Sequence, residues 1–264
     1  FAQLVKNNLH ADGKVYVEWS NEVWNSQFEI HKWIKENTDG QSLSMPFFDK
    51  WAAEARRDFA IWSDVWSNDS DRMVRVAAAQ AAPGVTPGSA PVIAAVIHDR
   101  FDAISCSTYF GLRSHEENAM SSSTSVQEII DILEENIVTD NRQYYTEHGQ
   151  LAREYSQSLG RPIRLIAYEG GQHLADGGRN KPHKAQLIAA QDHPKMYDLY
   201  QQNMFEFERA GGSANVMFNY VGRRDQWGSW GHLQYQDEPV SSAPKFKAML
   251  DYPGSQKRLE LTTF

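Results

Sequence analysis

The sequence contains a single cysteine, Cys106, among its 264 residues. This excludes an intrachain disulfide and a metal cluster held by several cysteines. No apolar run reaches the roughly 20 residues that a membrane-spanning helix needs, so no membrane partner is expected. The chain begins at Phe1 without a recognisable signal peptide, which suggests a processed or truncated N-terminus.

A surplus of basic residues is also missing. Lys and Arg number 26 against 34 Asp and Glu, and the formal net charge is -8. A nucleic-acid partner would normally require a basic surface. We therefore expect no nucleic-acid binding.

Several cofactor and catalytic signatures are absent. No strand-like run is followed by GxGxxG, and neither a phosphate-binding GxxxxGKS/T loop nor HExxH occurs. The dispersed histidines lack metal-ligand spacing. Ser20 and Ser107 lack the GxSxG context of a serine hydrolase. We therefore expect no cofactor and no metal.

Aromatic residues, by contrast, are abundant, with eight Trp and eleven Tyr. Several lie beside polar residues in loop-like stretches. Flat rings next to hydrogen-bonding groups suit flat ligands with polar edges, of which sugar rings are the common case. Burial in the core remains the ordinary role of any single ring.

Strand-like and helical runs alternate along the chain, which is the pattern of a parallel α/β fold. The predicted strands are 15–19, 73–79, 103–108, 163–167 and 214–219. The predicted helices are 1–9, 46–66, 92–101, 125–137, 144–159, 195–210 and 243–250, and a Pro/Gly loop is predicted at 83–91. This rhythm fits part of a (β/α)8 barrel better than a Rossmann sheet. We predict one partial barrel domain over residues 1–264.

Polar and aromatic residues follow the predicted strands at their carboxyl ends, where a (β/α)8 barrel places its active site. These residues are Asn21, Glu22, Gln80, Tyr109, Glu169 and Asn219. Two of them, Glu22 and Glu169, are carboxylic acids with aromatic neighbours. Glycoside hydrolysis uses two carboxyl groups that flank the bond, about 5 Å apart in a retaining enzyme. Parallel strands of one barrel would bring two such strand ends to the same rim.

Two segments carry a resemblance to a known group. Residues 17–25, Val-Glu-Trp-Ser-Asn-Glu-Val-Trp-Asn, resemble the Asn-Glu signature at the end of the fourth strand in clan A glycoside hydrolases. Residues 166–171, Ile-Ala-Tyr-Glu-Gly-Gly, are similar to the segment of strand seven that carries the nucleophile. The resemblance covers roughly residues 15–220. It implies a (β/α)8 barrel with two catalytic glutamates.

The resemblance also implies roles for individual residues. Glu22 would be the acid/base and Glu169 the nucleophile. Asn21 would donate to the sugar 2-hydroxyl, and Tyr109 would hydrogen-bond the nucleophile. One of two tryptophans, Trp227 or Trp230, would form the platform under the sugar at the cleavage site.

Further binding candidates come from the residues themselves. Gln172 and His173 follow Glu169 closely and could contact sugar hydroxyls, while Asn219 follows the last strand. Asp176 and Asp225 are candidates for the rim, although ordinary solvation in loops is an alternative for both. The candidate sugar-facing aromatics are Trp24, Tyr109, Trp227, Trp230 and Tyr235.

The match departs from the barrel pattern at the N-terminus. Glu22 would follow strand four, yet only 21 residues precede it. The first three strands are therefore lacking or supplied elsewhere, by an N-terminal segment or by a second copy in a homodimer. Uncovered edges of a parallel sheet need such covering.

The function predicted from the sequence is retaining hydrolysis of a β-linked polysaccharide or oligosaccharide, similar to a cellulase or β-glucanase. The substrate class implies an extracellular or periplasmic location. The alternative is a non-catalytic carbohydrate-binding protein derived from such a barrel. A polysaccharide lyase or a transglycosidase on the same scaffold is a further rival.

Overall fold

The computed structural model describes residues 1–80, 89–98 and 100–252. Within these residues, five strands form one parallel sheet in the order β1-β2-β3-β4-β5. The register aligns Val15 with Met73 and Val76 with Ala103. The strands are β1 Val15–Val17, β2 Met73–Ala78, β3 Ala103–Gly111, β4 Arg164–His173 and β5 Gly212–Asn215. The predicted α/β class and partial barrel are confirmed.

Helices connect the strands, as the alternating pattern predicts. They are α1 Ala2–Asn8, α2 Glu29–Glu36, α3 Met45–Val65, α4 Ser89–Ile97, α5 Ser114–Ala119, α6 Val126–Asn136, α7 Arg142–Leu159, α8 Lys184–Ala189, α9 Met196–Arg209 and α10 Pro244–Asp251. Short 3-10 turns cover Ser67–Arg72, Ala190–Asp192 and Val240–Ser242, and a π turn covers Ile137–Asn141. The short helices α2, α5 and α8 were not predicted.

Local chemistry explains where the longer helices begin and end. Ser44 accepts a hydrogen bond from the Phe47 amide at the start of α3. Ser125 and Glu128 form a reciprocal capping box at the start of α6. Gly160, with φ of +62°, directly follows α7. Of these signals, the helix stop at Gly160 is the one that the sequence predicts.

The largest differences from the predicted strand boundaries are at the ends of β3, β4 and β5. β3 and β4 continue to Gly111 and His173, so Tyr109 and Glu169 lie within strands rather than after them. β5 ends at Asn215, so Asn219 lies four residues beyond it. The predicted loop at 83–91 lies mostly outside the described residues, and α4 already begins at Ser89. That helix ends at Ile97, four residues earlier than predicted.

The chain divides into two compact units. Unit 1 comprises the described residues 1–80, 89–98, 100–106 and 150–166. In it, α3 packs on α4, and α4 packs on β2. Its buried apolar side chains include Phe47, Trp51, Phe59, Trp66, Val74, Val76, Ile93, Ile97, Phe101 and Ile104.

A charged cluster fixes β2 against β3 in unit 1. Asp102 accepts two hydrogen bonds from the Arg75 guanidinium, at 2.8 and 2.9 Å, and one from Arg161 at 3.1 Å. Burial raises the pKa of Asp102, but these hydrogen bonds outweigh it and hold the pKa below its ordinary value.

Unit 2 comprises the described residues 107–149 and 167–252. Its core lies between the helices and strands β3 and β4, and it includes Phe110, Ile129, Ile130, Leu133, Ile137, Leu174, Leu187, Leu199, Tyr200 and Met204. The single domain over residues 1–264 stays a prediction. No helix within the described residues is long and apolar enough to cross a membrane.

Candidate active site

Glu22 lies in a strained turn just past β1. Its φ is +44°, and that of Ser20 is +60°. Residues other than glycine rarely adopt this conformation, and where they do, the strain is often found at functional sites. The half-buried carboxylate accepts a hydrogen bond from Asn25 Nδ2 at 2.8 Å, and Asn21 beside it is exposed. The turn therefore holds Glu22 in a defined place.

A buried histidine holds the segment that follows Glu22. His31 Nδ1 donates to the Val23 carbonyl at 3.0 Å, and its Nε2 lies 2.9 Å from Ser42 Oγ. The His31 ring also packs on Phe47 at 5.1 Å. These contacts anchor the turn to α2 and α3.

The structure places Trp24 in the core of unit 1. The side chain is 7% exposed, and its ring packs on Trp51 at 6.0 Å. The prediction that this ring faces a sugar is therefore not supported by its position. Trp24 has polar neighbours in the sequence, but its contact with Trp51 on α3 buries the ring.

Glu169 is half-buried in β4 of unit 2 and is followed by two glycines that the strand requires. A Cβ on Gly170 would lie 1.9 Å from Thr108 Oγ1, and one on Gly171 would lie 2.9 Å from the Tyr200 hydroxyl. Gly171 also has a φ of +126°. Gly170 and Gly171 therefore lie in a stretch of strand that other segments of the chain approach closely.

Three of the predicted residues meet in one ring cluster in unit 2, which we call the aromatic cluster: Tyr109, His173 and Trp230. The ring centroids of Tyr109 and His173 are 5.5 Å apart, those of Tyr109 and Trp230 5.7 Å, and those of His173 and Trp230 5.0 Å. All three pairs meet edge-on, which is a favourable geometry. They come from β3, β4 and the loop after β5.

Trp230 owes its place to a glycine. A Cβ on Gly228, whose φ is +138°, would lie 2.2 Å from Cε2 of the indole. Phe218 contacts the same indole at 6.0 Å. The indole is therefore held against backbone as well as against the other two rings.

A buried hydrogen-bond network fixes the backbone at Gly228 and Ser229. Gln172 Nε2 donates to the two carbonyls at 2.8 and 3.2 Å, and its Oε1 accepts from Gln191 Nε2 at 3.0 Å. Lys245 Nζ donates to the Ser229 carbonyl at 2.7 Å and to Gln191 Oε1 at 3.0 Å. Burial holds the pKa of Lys245 well below its ordinary value, and Arg224 acts in the same direction.

This network changes the interpretation of Gln172. Its side chain is 1% exposed, and its amide also accepts from the Leu174 N–H at 2.8 Å. The structure gives Gln172 the role of holding the Trp230 loop. Its predicted contact with a sugar hydroxyl would require one of these bonds to be exchanged.

A second buried network fixes the end of β3. Asn203 Nδ2 donates to the Thr108 carbonyl at 2.8 Å, and Asn141 Nδ2 lies 3.0 Å from the Tyr109 carbonyl. Tyr145 donates its hydroxyl to Asn203 Oδ1 at 2.9 Å. Asn141 sits in the π turn, a distortion that is frequent near functional sites. Sequence reasoning missed these residues and also Gln191 and Lys245.

Asn219 lies on an exposed stretch of chain after β5, and its backbone is fixed. Its amide donates to the Trp230 carbonyl at 3.3 Å, and its carbonyl accepts from His232 Nδ1 at 2.6 Å. Burial, with Lys245 and Arg224 acting in the same direction, lowers the pKa of His232 to about 4. The predicted roles of Trp227, 61% exposed, and of Tyr235, 51% exposed, stay predictions.

No group of three or more metal-ligating side chains is found among the described residues. No protein-family model and no curated protein sequence matches the chain. Among solved structures, a family 51 α-L-arabinofuranosidase from Bifidobacterium longum matches 90% of this chain at 13% identity, with a TM-score of 0.57. A family 51 arabinofuranosidase from Xanthomonas axonopodis pv. citri matches 66% of it, also at 13% identity, with a TM-score of 0.45.

The Bifidobacterium likeness shows the fold. Family 51 is a clan A family, so the fold agrees with the resemblance carried by the two glutamate segments. The chain spans 45% of that solved chain, which is less than half of its length.

Proposed function

We propose that this chain carries the catalytic region of a retaining glycoside hydrolase, with Glu22 as acid/base and Glu169 as nucleophile. The observation that carries the proposal is the aromatic cluster. It joins three predicted sugar-binding residues from separate segments. One of them, His173, lies four residues beyond Glu169 on the same strand.

In the proposed reaction, a protonated Glu22 donates its proton to the leaving glycosidic oxygen while the Glu169 carboxylate attacks the anomeric carbon. The resulting glycosyl ester is hydrolysed when Glu22, now a carboxylate, takes a proton from the attacking water. The left-handed turn at Glu22 and the close-packed strand at Glu169 suit such roles, because both restrict how far each carboxyl group can move.

The substrate class we propose is a β-linked polysaccharide or oligosaccharide, in keeping with the abundance of exposed aromatic residues. The likeness to an α-L-arabinofuranosidase supports a second candidate, an α-L-arabinofuranoside. We propose that Glu22 and Glu169 act in the same roles on either substrate. With either substrate, we propose an extracellular or periplasmic location.

The alternative function is that of a non-catalytic carbohydrate-binding protein. In that protein the aromatic cluster binds the sugar, and the two glutamates have no catalytic role. The two functions differ in one respect that can be measured. Removal of either carboxyl group should abolish hydrolysis in the enzyme and should leave sugar binding unchanged in a binding protein.

The first test is hydrolysis by the wild type, Glu22→Gln and Glu169→Gln. Release of reducing sugar is measured on β-glucans, xylan, mannan and arabinan, and release of nitrophenol on a nitrophenyl α-L-arabinofuranoside. On the polysaccharides, whose leaving sugar oxygen needs a proton, we expect both variants to lose roughly a thousand-fold or more in kcat/KM, since acid–base assistance alone contributes 10²–10⁴. On the nitrophenyl glycoside, whose leaving group departs without protonation, only Glu169→Gln should lose as much. NMR of the first product should show the anomeric configuration retained.

Glu134→Gln is a matched control, because it makes the same chemical change at a carboxylate that is 52% exposed. Its ion pair with Lys195 is long, at 3.9 Å, so little is lost with the charge. It should keep full activity. An active wild type whose two glutamate variants are equally active would contradict the proposed mechanism. A wild type that binds the polysaccharides without cleaving any of them would favour the binding protein.

A further inference from the structure

Trp227 occupies a different place from Trp230, although the sequence offers them for the same role. Trp230 lies in the aromatic cluster. Trp227 is 61% exposed and rests on Gly178, where a Cβ would lie 2.7 Å from Cη2 of the indole. A tryptophan with one face on backbone and a large exposed surface is unusual, since this residue is on average well buried.

The turn that carries Trp227 is held by its own hydrogen bonds. Asp225 Oδ1 accepts from the Trp227 N–H at 2.8 Å. Ser229 Oγ accepts from the Asp225 N–H at 2.8 Å and donates to the Asp225 carbonyl at 2.9 Å. Trp227 therefore projects from a closed and rigid turn.

The loop beneath the indole is equally well defined. Asp176 is 1% exposed and accepts from the N–H groups of Asn180 and Lys181 at 3.0 and 2.6 Å. Burial raises the pKa of Asp176, but these N–H groups outweigh it and hold the pKa below its ordinary value. Gly177 donates its N–H to the Gln226 carbonyl at 2.9 Å, which ties the loop to the Trp227 turn.

Polar groups lie next to Trp227 in the sequence and on the loop that its indole contacts. Lys184 Nζ lies 3.2 Å from Asn180 Oδ1 and 3.4 Å from Gln226 Oε1. Gln226 is the chain neighbour of Trp227, and Asn180 is exposed on the loop under it. An aromatic face bordered by amides and an ammonium group matches the apolar face and the hydroxyl edge of a sugar ring.

We propose that Trp227, with Asn180, Lys184 and Gln226, forms a second sugar platform that is separate from Trp230. It binds a sugar unit of an oligosaccharide beyond the unit at Trp230. The substrate is therefore a chain or branched glycan rather than a simple glycoside. This inference rests on the proposed function, because it assigns Trp230 to the cleavage site.

The test measures binding by calorimetry in the Glu169→Gln background, with cello-, xylo- and arabino-oligosaccharides of two to six units as probes. Trp227→Ala should weaken binding of the longest probes by roughly 3- to 10-fold, the range for one aromatic contact, and leave the shortest unchanged. Trp230→Ala should weaken binding at every length. Trp33→Ala, which removes an exposed tryptophan of unit 1, should leave the binding of short and long probes unchanged.

Equal affinities of Trp227→Ala and its parent at every length would overturn the platform, as would equal losses for short and long probes. Neither result changes the outcome of the hydrolysis assays with the Glu22 and Glu169 variants. The proposed function is therefore tested separately from the platform. Because Trp227 is mostly exposed, its variant should unfold at the parent's temperature, and a melting curve checks this.

Discussion

At the scale of single residues, close approach of backbones governs the segment around Glu169. Gly170 faces Thr108 with no room for a Cβ, and Thr108 Oγ1 is itself engaged, donating to Asn215 Oδ1 at 2.7 Å. Any side chain at position 170 must push β3 and β4 apart. The position of the proposed nucleophile therefore depends on the residue that follows it.

Gly170→Ala should destabilise the fold by about 1–3 kcal/mol, the usual cost of overpacking, and should lower the activity through displacement of Glu169. Denaturant unfolding and the assay above measure the two effects. In a Thr108→Ala background the obstructing oxygen is absent, so the same change should cost less. Equal costs in the two backgrounds would show that the close contact is not the cause.

The residues of the site were predictable in part. Tyr109 was predicted from its place after a strand, His173 from its closeness to Glu169 in the sequence, and Trp230 from the family resemblance. The structure brings their rings together. Asn141 and Lys245 could not be predicted, because their partners are distant in sequence and each residue alone resembles a solvated helix position. The burial of Trp24 could not be predicted, because its partner Trp51 lies on another element.

At the scale of elements, the carboxyl end of the sheet in unit 2 is fixed by buried polar groups instead of apolar packing alone. Helix α10 contributes Lys245 and helix α9 contributes Asn203, each of which binds backbone of a site segment. The long helix α3 was predicted from the three- and four-residue spacing of its apolar side chains. The six-residue helices α5 and α8 were not, because they are too short to show a period.

His232 makes this region sensitive to acid. It is 1% exposed, and its Nε2 has no hydrogen-bond partner. The folded pKa of about 4 lies below the ordinary value of 6.5, so the unfolded chain takes up the proton first. Its contribution to stability is thus complete above pH 6.5 and is lost progressively as the pH falls towards 4.

We expect the free energy of unfolding to fall between pH 6.5 and 4, and to fall less steeply in His232→Phe. The variant loses the bond to the Asn219 carbonyl, so it should be less stable than the wild type at pH 7. Urea unfolding at several pH values gives the change of the unfolding free energy with pH for the wild type and for the variant. The same slope in both proteins would assign the acid sensitivity to other groups.

At the scale of the whole molecule, β5 is the last strand in the sheet order, and apolar side chains follow it. Val216, Phe218 and Tyr220 are 55%, 41% and 54% exposed at alternating positions. The amides of Val216 and Phe218 donate to the Ala167 and Gly170 carbonyls of β4. The strand-like pairing with β4 therefore continues past Asn215. These exposed apolar side chains favour contact with a further apolar surface.

We propose that a second copy of this chain covers these apolar side chains. If a second copy does so, light scattering should find a dimer, and Val216→Lys should shift it to monomer because a buried lysine would lack a partner. Ile61→Lys, at a 49% exposed position on α3, is the matched control and should leave the dimer intact. A wild type that stays monomeric at high concentration would exclude the second copy.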